Sequence, residues 1–177
     1  MPRTDTLYII DSSSLIEIKR RYPRRKLPGI WDDLHSLCQR DQVIAPIEGK
    51  NEILQRDDDL KAWVEAHDKI FWEIDSAVLE KTREVLNLFP EMSDFNSQNN
   101  AQADPFLIGL AMVHTDQAQH RFEKREVIVV SEEASDLEKN PKLPFSQIKK
   151  IPDVCGHFKL KCIDHLVMFK QEGFKFH

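Results

Sequence analysis

What this 177-residue sequence has little of narrows the field first. Three cysteines are too few for a disulfide framework, and they fit a chain that keeps its thiols reduced. Five glycines and nine prolines exclude collagen-like and low-complexity architectures, while 41% hydrophobic residues exclude wholesale disorder. No apolar run is long. The longest, Phe106 to Val113, falls far short of the ~18 residues that cross a bilayer, so no membrane association is expected. The opening MPRTDTLYII meets Asp11 before its apolar stretch reaches signal-peptide length, and a cytoplasmic location is expected. Several glycine-dependent signatures are also missing. There is no GxxxxGK[ST] phosphate loop, no GxGxxG dinucleotide turn and no GxSxG nucleophile elbow.

Positive charge is scarce overall but concentrated locally. Residues 19–26 (KRRYPRRK) hold six basic residues and no acid, so with a net charge of −5 the remainder carries −11. This run reads either as a solvated loop or as a phosphate contact beside an acidic site.

Leu7-Tyr8-Ile9-Ile10 and Val127-Ile128-Val129-Val130 are continuous apolar runs rich in β-formers, as expected of strands covered on both faces. Val43-Ile44-Ala45 is a shorter case. Helical patterns lie between them: Trp31, Leu34, Leu37 and Cys38; a segment opened by Pro46 with Ile47 and Ile53-Leu54; Leu60, Trp63 and Val64 behind a cap at Asp57-Asp58-Asp59; and residues 75–89. Pro90 to Gln102 reads as a loop, and Asp104-Pro105 as the cap and first turn of an apolar helix. Residues 146–151 are expected as an outer strand and 162–170 as a helix. Trp31, Trp63 and Trp72 are all expected in helices, in the core. Strands alternating with helices predict an α/β chain, a three-layer α/β/α sandwich around a mainly parallel sheet, in one domain over 1–177.

Parallel sheets bind ligands beyond the carboxyl ends of their strands. Asp11 follows the first strand and Glu132-Glu133 follow Ser131 after the last clear one; Glu48 and Glu52 sit on the helix after Val43–Ala45, and Asp104 opens the long helix. Carboxylates gathered in one crevice repel one another unless a cation offsets them, and Mg²⁺ or Mn²⁺ suits oxygen ligands. A haloacid-dehalogenase-type phosphatase would need a second Asp where Ser13 stands. Cys155, His157 and Cys162 fall one ligand short of a structural zinc site, so buried thiols and a loop histidine are expected instead.

The order of these acids resembles the PIN-domain nucleases. YIIDSSSLI is similar to their first motif, VIAPIEGKNEIL to the second, ADPFLIGLA to the third and VIVVSEE to the fourth. The resemblance covers residues 7 to about 133, leaving a C-terminal extension of about 136–177 beyond the motif-bearing core of about 5–135. It implies a PIN-like fold in which Asp11, Glu52, Asp104 and Glu133 are the catalytic, metal-holding carboxylates. Glu52 fits its motif better than Glu48, and Glu133 stands where many members carry Asp. Ser13 and Ser131 would be hydroxyls that orient these groups or the substrate. Also implied are a Mg²⁺- or Mn²⁺-dependent endoribonuclease acting on single-stranded RNA, and phosphate contacts at Arg20, Arg21, Arg24 and Arg25. The short stand-alone form further suggests the toxin half of a prokaryotic toxin–antitoxin module with a small antitoxin partner; homodimerisation is left open. The rival reading is a PIN-like module that binds RNA or protein without cutting it.

Overall fold

A computed structural model describes residues 5–56, 58–93, 103–122 and 124–177 of the chain. Five strands, β1 (Thr6–Ile10), β2 (Val43–Pro46), β3 (Phe71–Trp72), β4 (Glu126–Val130) and β5 (Lys161–Ile163), form one parallel sheet in the order β3-β2-β1-β4-β5. β1 lies at its centre, with Tyr8 opposite Val43 on one side and Ile128 on the other.

The helices divide between the two faces according to which way alternate strand residues point. Tyr8 and Ile10, Val43 and Ala45, and Ile128 and Val130 enter one buried cluster. They meet α1 (Ser12–Arg21), α2 (Pro28–Gln39), α3 (Ile47–Arg56), α4 (Asp58–Ala66) and α9 (His165–Glu172). Leu7, Ile9, Ile44 and Val129 point the other way. They pack on α5 (Ser76–Leu88), α6 (Ala103–His120) and α8 (Ile151–His157), while the four-residue α7 (Asp136–Lys139) follows β4. Both sides of every inner strand are therefore covered, which explains why those strands show no polar alternation. The expected α/β/α sandwich is the architecture observed.

Local chemistry sets the helix ends. Asp75 and Asp164 accept hydrogen bonds from Val78 N and Val167 N, 2.9 Å each, at the starts of α5 and α9. Pro28 and Pro152 occupy first-turn positions in α2 and α8, where their missing N–H is not needed. Gly173 ends α9 at φ 68°, a conformation that a Cβ disfavours.

Four local expectations are corrected. Residues 146–151 form no strand: Phe145–Gln147 is a 3-10 turn and Ile151 already begins α8. Lys161–Ile163 takes the sheet edge instead, so the segment expected to be helical from Cys162 starts as a strand, and its helix waits for the Asp164 cap. Trp72 lies on β3 and is 43% exposed, whereas Trp31 and Trp63 are buried as expected. Pro90–Met92 is a 3-10 turn; the rest of that expected loop, 94–102, and the proposed capping residue Asp57 lie outside the described residues. The C-terminal segment is no appendage, since β5 completes the sheet and α9 seats Met168 and Phe169 in the core.

Candidate active site

Asp11 follows β1 and is the N-cap residue of α1, yet its side chain makes no cap hydrogen bond. Its main chain does that work, as Ser14 N and Leu15 N both donate to the Asp11 carbonyl. The carboxylate is left to three hydroxyls. Ser13 donates to Oδ2, Ser131 lies 3.4 Å from the same oxygen, and Ser12 lies 3.4 Å from Oδ1. Ser12 is also 2.5 Å from Glu52 Oε2. One hydroxyl carries one hydrogen, so Ser12 ties the start of α1 to α3 by favouring Glu52.

Glu133, beyond β4, is held from its own side. Its Oε2 accepts the Ile151 N–H of α8 at 2.7 Å, and Lys150 Nζ lies 3.8 Å from Oε1. Asp104 falls inside the first turn of α6 rather than at its cap. Glu132, the chain neighbour of Glu133, turns elsewhere: Oε1 accepts His165 N at 3.1 Å and lies 2.9 Å from His165 Nδ1. Burial works against that charge, but the His165 contacts hold the Glu132 carboxyl below the usual range.

The electrostatics tie four acids together. Burial first, then repulsion from Asp11, Glu133 and Glu52, pushes Asp104 up to about 8, with Lys150 offsetting part of the effect. Burial likewise raises Asp11 to about 6; the Ser13 hydroxyl opposes this, while Glu52 and Glu133 add to it. Glu48 is also raised by burial, but the acids facing it are Glu73 and Glu52, and its Oε2 is buried without a hydrogen-bond partner. Of the two acids on α3, Glu52 is therefore the one coupled to Asp11 and Asp104. Of the two acids after Ser131, Glu133 is the one.

A hard divalent cation fits this donor set chemically, since carboxylate oxygens with a net excess of negative charge are what it seeks. Among the described residues, no three His, Cys, Asp or Glu side chains are already drawn together tightly enough to enclose an ion. The acids are instead engaged by Ser12, Ser13, Ser131 and the Ile151 N–H, contacts that a bound cation would share or replace. Sequence reasoning passed over Ser12, Lys150 and the Ile151 N–H. Ser12 was visible in the DSSS run; the other two come from a segment that the four motifs do not reach.

The basic segment splits in two. Arg20 and Arg21 end α1, and Glu17 pairs with both. Arg24 and Arg25 are exposed in the following loop, where the Arg24 guanidinium stands 5.7 Å above the Trp31 ring. They line a groove of about 1010 Å³ together with Lys19, Arg20, Lys26 and Trp31, and with the acids Asp32 and Asp59. About two helical turns separate this groove from Ser12, on the order of 10–12 Å along α1.

A family model described as "Domain of unknown function (DUF4411)" matches residues 8–176, from β1 to the last turn. The chain belongs to this family. The DUF4411 match runs through α8, β5 and α9 without a break, so the C-terminal segment is part of the same unit as the four acids. Comparison with curated proteins gives no match to this DUF4411 chain, and comparison with solved structures gives none either.

Proposed function

We propose that this chain is a Mg²⁺- or Mn²⁺-dependent endoribonuclease that hydrolyses phosphodiester bonds in single-stranded RNA. The observation that carries the reading is the mutual repulsion of Asp11, Glu52, Asp104 and Glu133 at the carboxyl edge of a parallel sheet, where burial makes their charges costly without a cation. Those four carboxylates would hold the ion. When bound, a divalent ion supplies Lewis acidity toward a phosphoryl oxygen and toward water.

The chain's own residues do the positioning. Ser13 and Ser131 both hold Oδ2 of the Asp11 carboxylate, and Ser12 keeps Glu52 beside it. α8 holds Glu133 by a main-chain donor, which no side-chain substitution short of proline at 151 removes. Lys150 brings a cation to the cluster and can meet a phosphate there. Arg24 and Arg25, exposed in their groove, suit a second phosphate contact farther along a strand. The resemblance to PIN-domain nucleases favours RNA as substrate, and a toxin paired with a small antitoxin is the biological setting proposed with it.

One observation favours a second reading, a non-catalytic module that binds RNA or protein. Among the described residues, the acids are not drawn into a ready-made cation cage. Cleavage of a labelled single-stranded RNA with and without Mn²⁺, using wild type, Asp11→Asn and Asp104→Asn, separates the two. The nuclease reading expects Mn²⁺-dependent cleavage that falls by orders of magnitude in both variants. RNA binding without cleavage at any Mn²⁺ concentration would establish the alternative.

A further inference from the structure

Two thiols that the carboxylate chemistry leaves unused lie between α8 and β5. Cys162 of β5 sits opposite Val129 of β4, and paired residues of neighbouring strands point to the same face of a sheet. Val129 points to the face that α5, α6 and α8 cover, and Cys162 packs against that cluster, of which Cys155 of α8 is a member. The main chain fixes the approach, since Leu160 N donates to the Cys155 carbonyl at 2.9 Å and closes the turn between the two elements. The thiols meet across this turn. Their hydrogen bond comes first among the causes that raise the Cys155 thiol, ahead of burial and of the charges on Cys162 and Glu133. A hydrogen bond that favours the protonated form makes the Cys155 S–H the donor and the Cys162 sulfur the acceptor.

The pair differs in access. Cys155 is fully buried, whereas Cys162 is partly exposed and offers a reagent its way in. The other candidates for either sulfur are engaged elsewhere. His157 packs edge-on against Phe89 and Phe158, with ring centroids 5.1 and 4.9 Å away, so it does not complete a metal site with the thiols. Cys38 belongs to the cluster on the opposite face of the sheet, where burial pushes its thiol up to about 12.

We propose that Cys155 and Cys162 are a redox modification site, closing to a reversible disulfide by exchange with a small-molecule disulfide, and that closure moves α8 and displaces the seat of Glu133. Cys162 loses its proton, and its thiolate attacks one sulfur of the reagent RSSR. That S–S bond breaks and releases RS⁻, which takes up the proton as RSH. Cys155 then deprotonates and attacks the Cys162 sulfur of the mixed disulfide, releasing the second RS⁻, protonated in the same way. The protein gives up two electrons and two protons, and RSSR becomes two RSH. Two sulfurs in hydrogen-bonding contact stand farther apart than a bonded pair, so the new bond draws α8 toward β5. Ile151, one helical turn before Cys155, carries the N–H that Glu133 Oε2 accepts at 2.7 Å, and Lys150 precedes it. The thiol chemistry is independent of the metal proposed for the acids; only the effect on Mn²⁺ rests on that reading.

Excess oxidised glutathione, added to the reduced full chain, tests it. Free thiols counted after denaturation should fall from three to one, and trypsin should release residues 151–159 joined to 162–170. Dithiothreitol should restore all three. Cys38→Ser should form the same link. Cys155→Ser should stop at the mixed disulfide with one glutathione on Cys162, and Cys162→Ser should take up none, because Cys155 is out of reach. The wild-type peptide map decides the matter even where a serine variant does not fold. In the oxidised protein the Ile151 amide should exchange with solvent deuterium about tenfold faster. Mn²⁺ should bind it about tenfold more weakly than the reduced form. The proposal is overturned if three thiols persist, if Cys38 or a second chain enters the disulfide, or if Ile151 exchanges equally in both states. Reduced protein that binds no Mn²⁺ overturns the metal reading alone, since neither the thiol count nor the Ile151 amide depends on the ion.

Discussion

Replacing Asp104 by Asn keeps the shape of the side chain and removes its charge. Two effects then compete. An acid in the first turn of a helix is favoured by the dipole, worth about 0.3–1 kcal/mol when ionised, and Asn gives that up. Against this stands the cost of ionising Asp104 where it is buried and faces Asp11, Glu133 and Glu52, a cost that raises its carboxyl from 3.8 to about 8. At roughly 1.4 kcal/mol per pH unit this is an upper limit of about 5–6 kcal/mol, part of which belongs to the interaction with Asp11. The second effect wins. Its sign follows from linkage: the folded protein holds the Asp104 proton more tightly than the unfolded chain. The resulting stability is complete below pH 3.8 and is lost as pH rises through about 8. Without divalent cations, wild type should therefore lose stability between pH 5 and pH 8.5, and Asp104→Asn should lose much less. For a chain of this length the variant should melt roughly 5–10 °C above wild type at pH 8.5 and close to it at pH 5. Adding Mn²⁺ at the higher pH should narrow the gap by stabilising wild type. Melting curves in chelator at the two pH values are enough. A difference that is the same at both, or a variant less stable at pH 8.5, would refute the reasoning.

Ser12→Ala should leave the fold intact but weaken Mn²⁺ binding by about 10–100-fold, measured by titration, because Glu52 loses the hydroxyl that holds it beside Asp11. Arg24→Ala and Arg25→Ala should each flatten the salt dependence of RNA binding by about 0.7 in log–log slope. Arg20→Ala should change it less, since Glu17 already engages that guanidinium. Gly109→Ala should destabilise the fold by about 1–3 kcal/mol in urea unfolding, as a Cβ there collides with Thr82 Oγ1 and lies 3.0 Å from Thr82 N and 3.1 Å from Val78 O, which fixed backbone cannot relieve. Tyr8→Phe should cost about 1 kcal/mol by the same assay, because the hydroxyl donates to Glu172 at 2.8 Å and ties α9 to the central strand.

What the sequence disclosed followed the strength of its patterns. β1 and β4 are legible because a strand covered on both faces must be apolar throughout, and Leu7–Ile10 and Val127–Val130 are. β3 and β5 are edge strands of two and three residues, and Trp72 and Lys161 lie exposed on them, so no run announces them. Asp11 and Asp104 stand out because each meets a junction between an apolar run and a polar boundary. The choice of Glu52 over Glu48, and of Glu133 over Glu132, could not be made by spacing alone. It depends on Ser12 reaching across to α3, and on Ile151 and His165 each taking one of two adjacent acids. Those partners are up to 40 positions away, beyond any local pattern.

The position of β1 at the centre of the sheet has a consequence for synthesis. Its register partners on β4 lie 120 positions later, Thr6 against Glu126, so this strand waits for 120 further residues to be made before its second side is paired. Until then Leu7 and Ile9 lack half of their covering, a demand on chaperones that strands paired by short hairpins do not make. The same delay governs the acids. Glu133 is not seated until Ile151 has been made, so the cluster can form only once α8 has been reached. A ribosome stalled before that point carries the first three acids without the fourth in place.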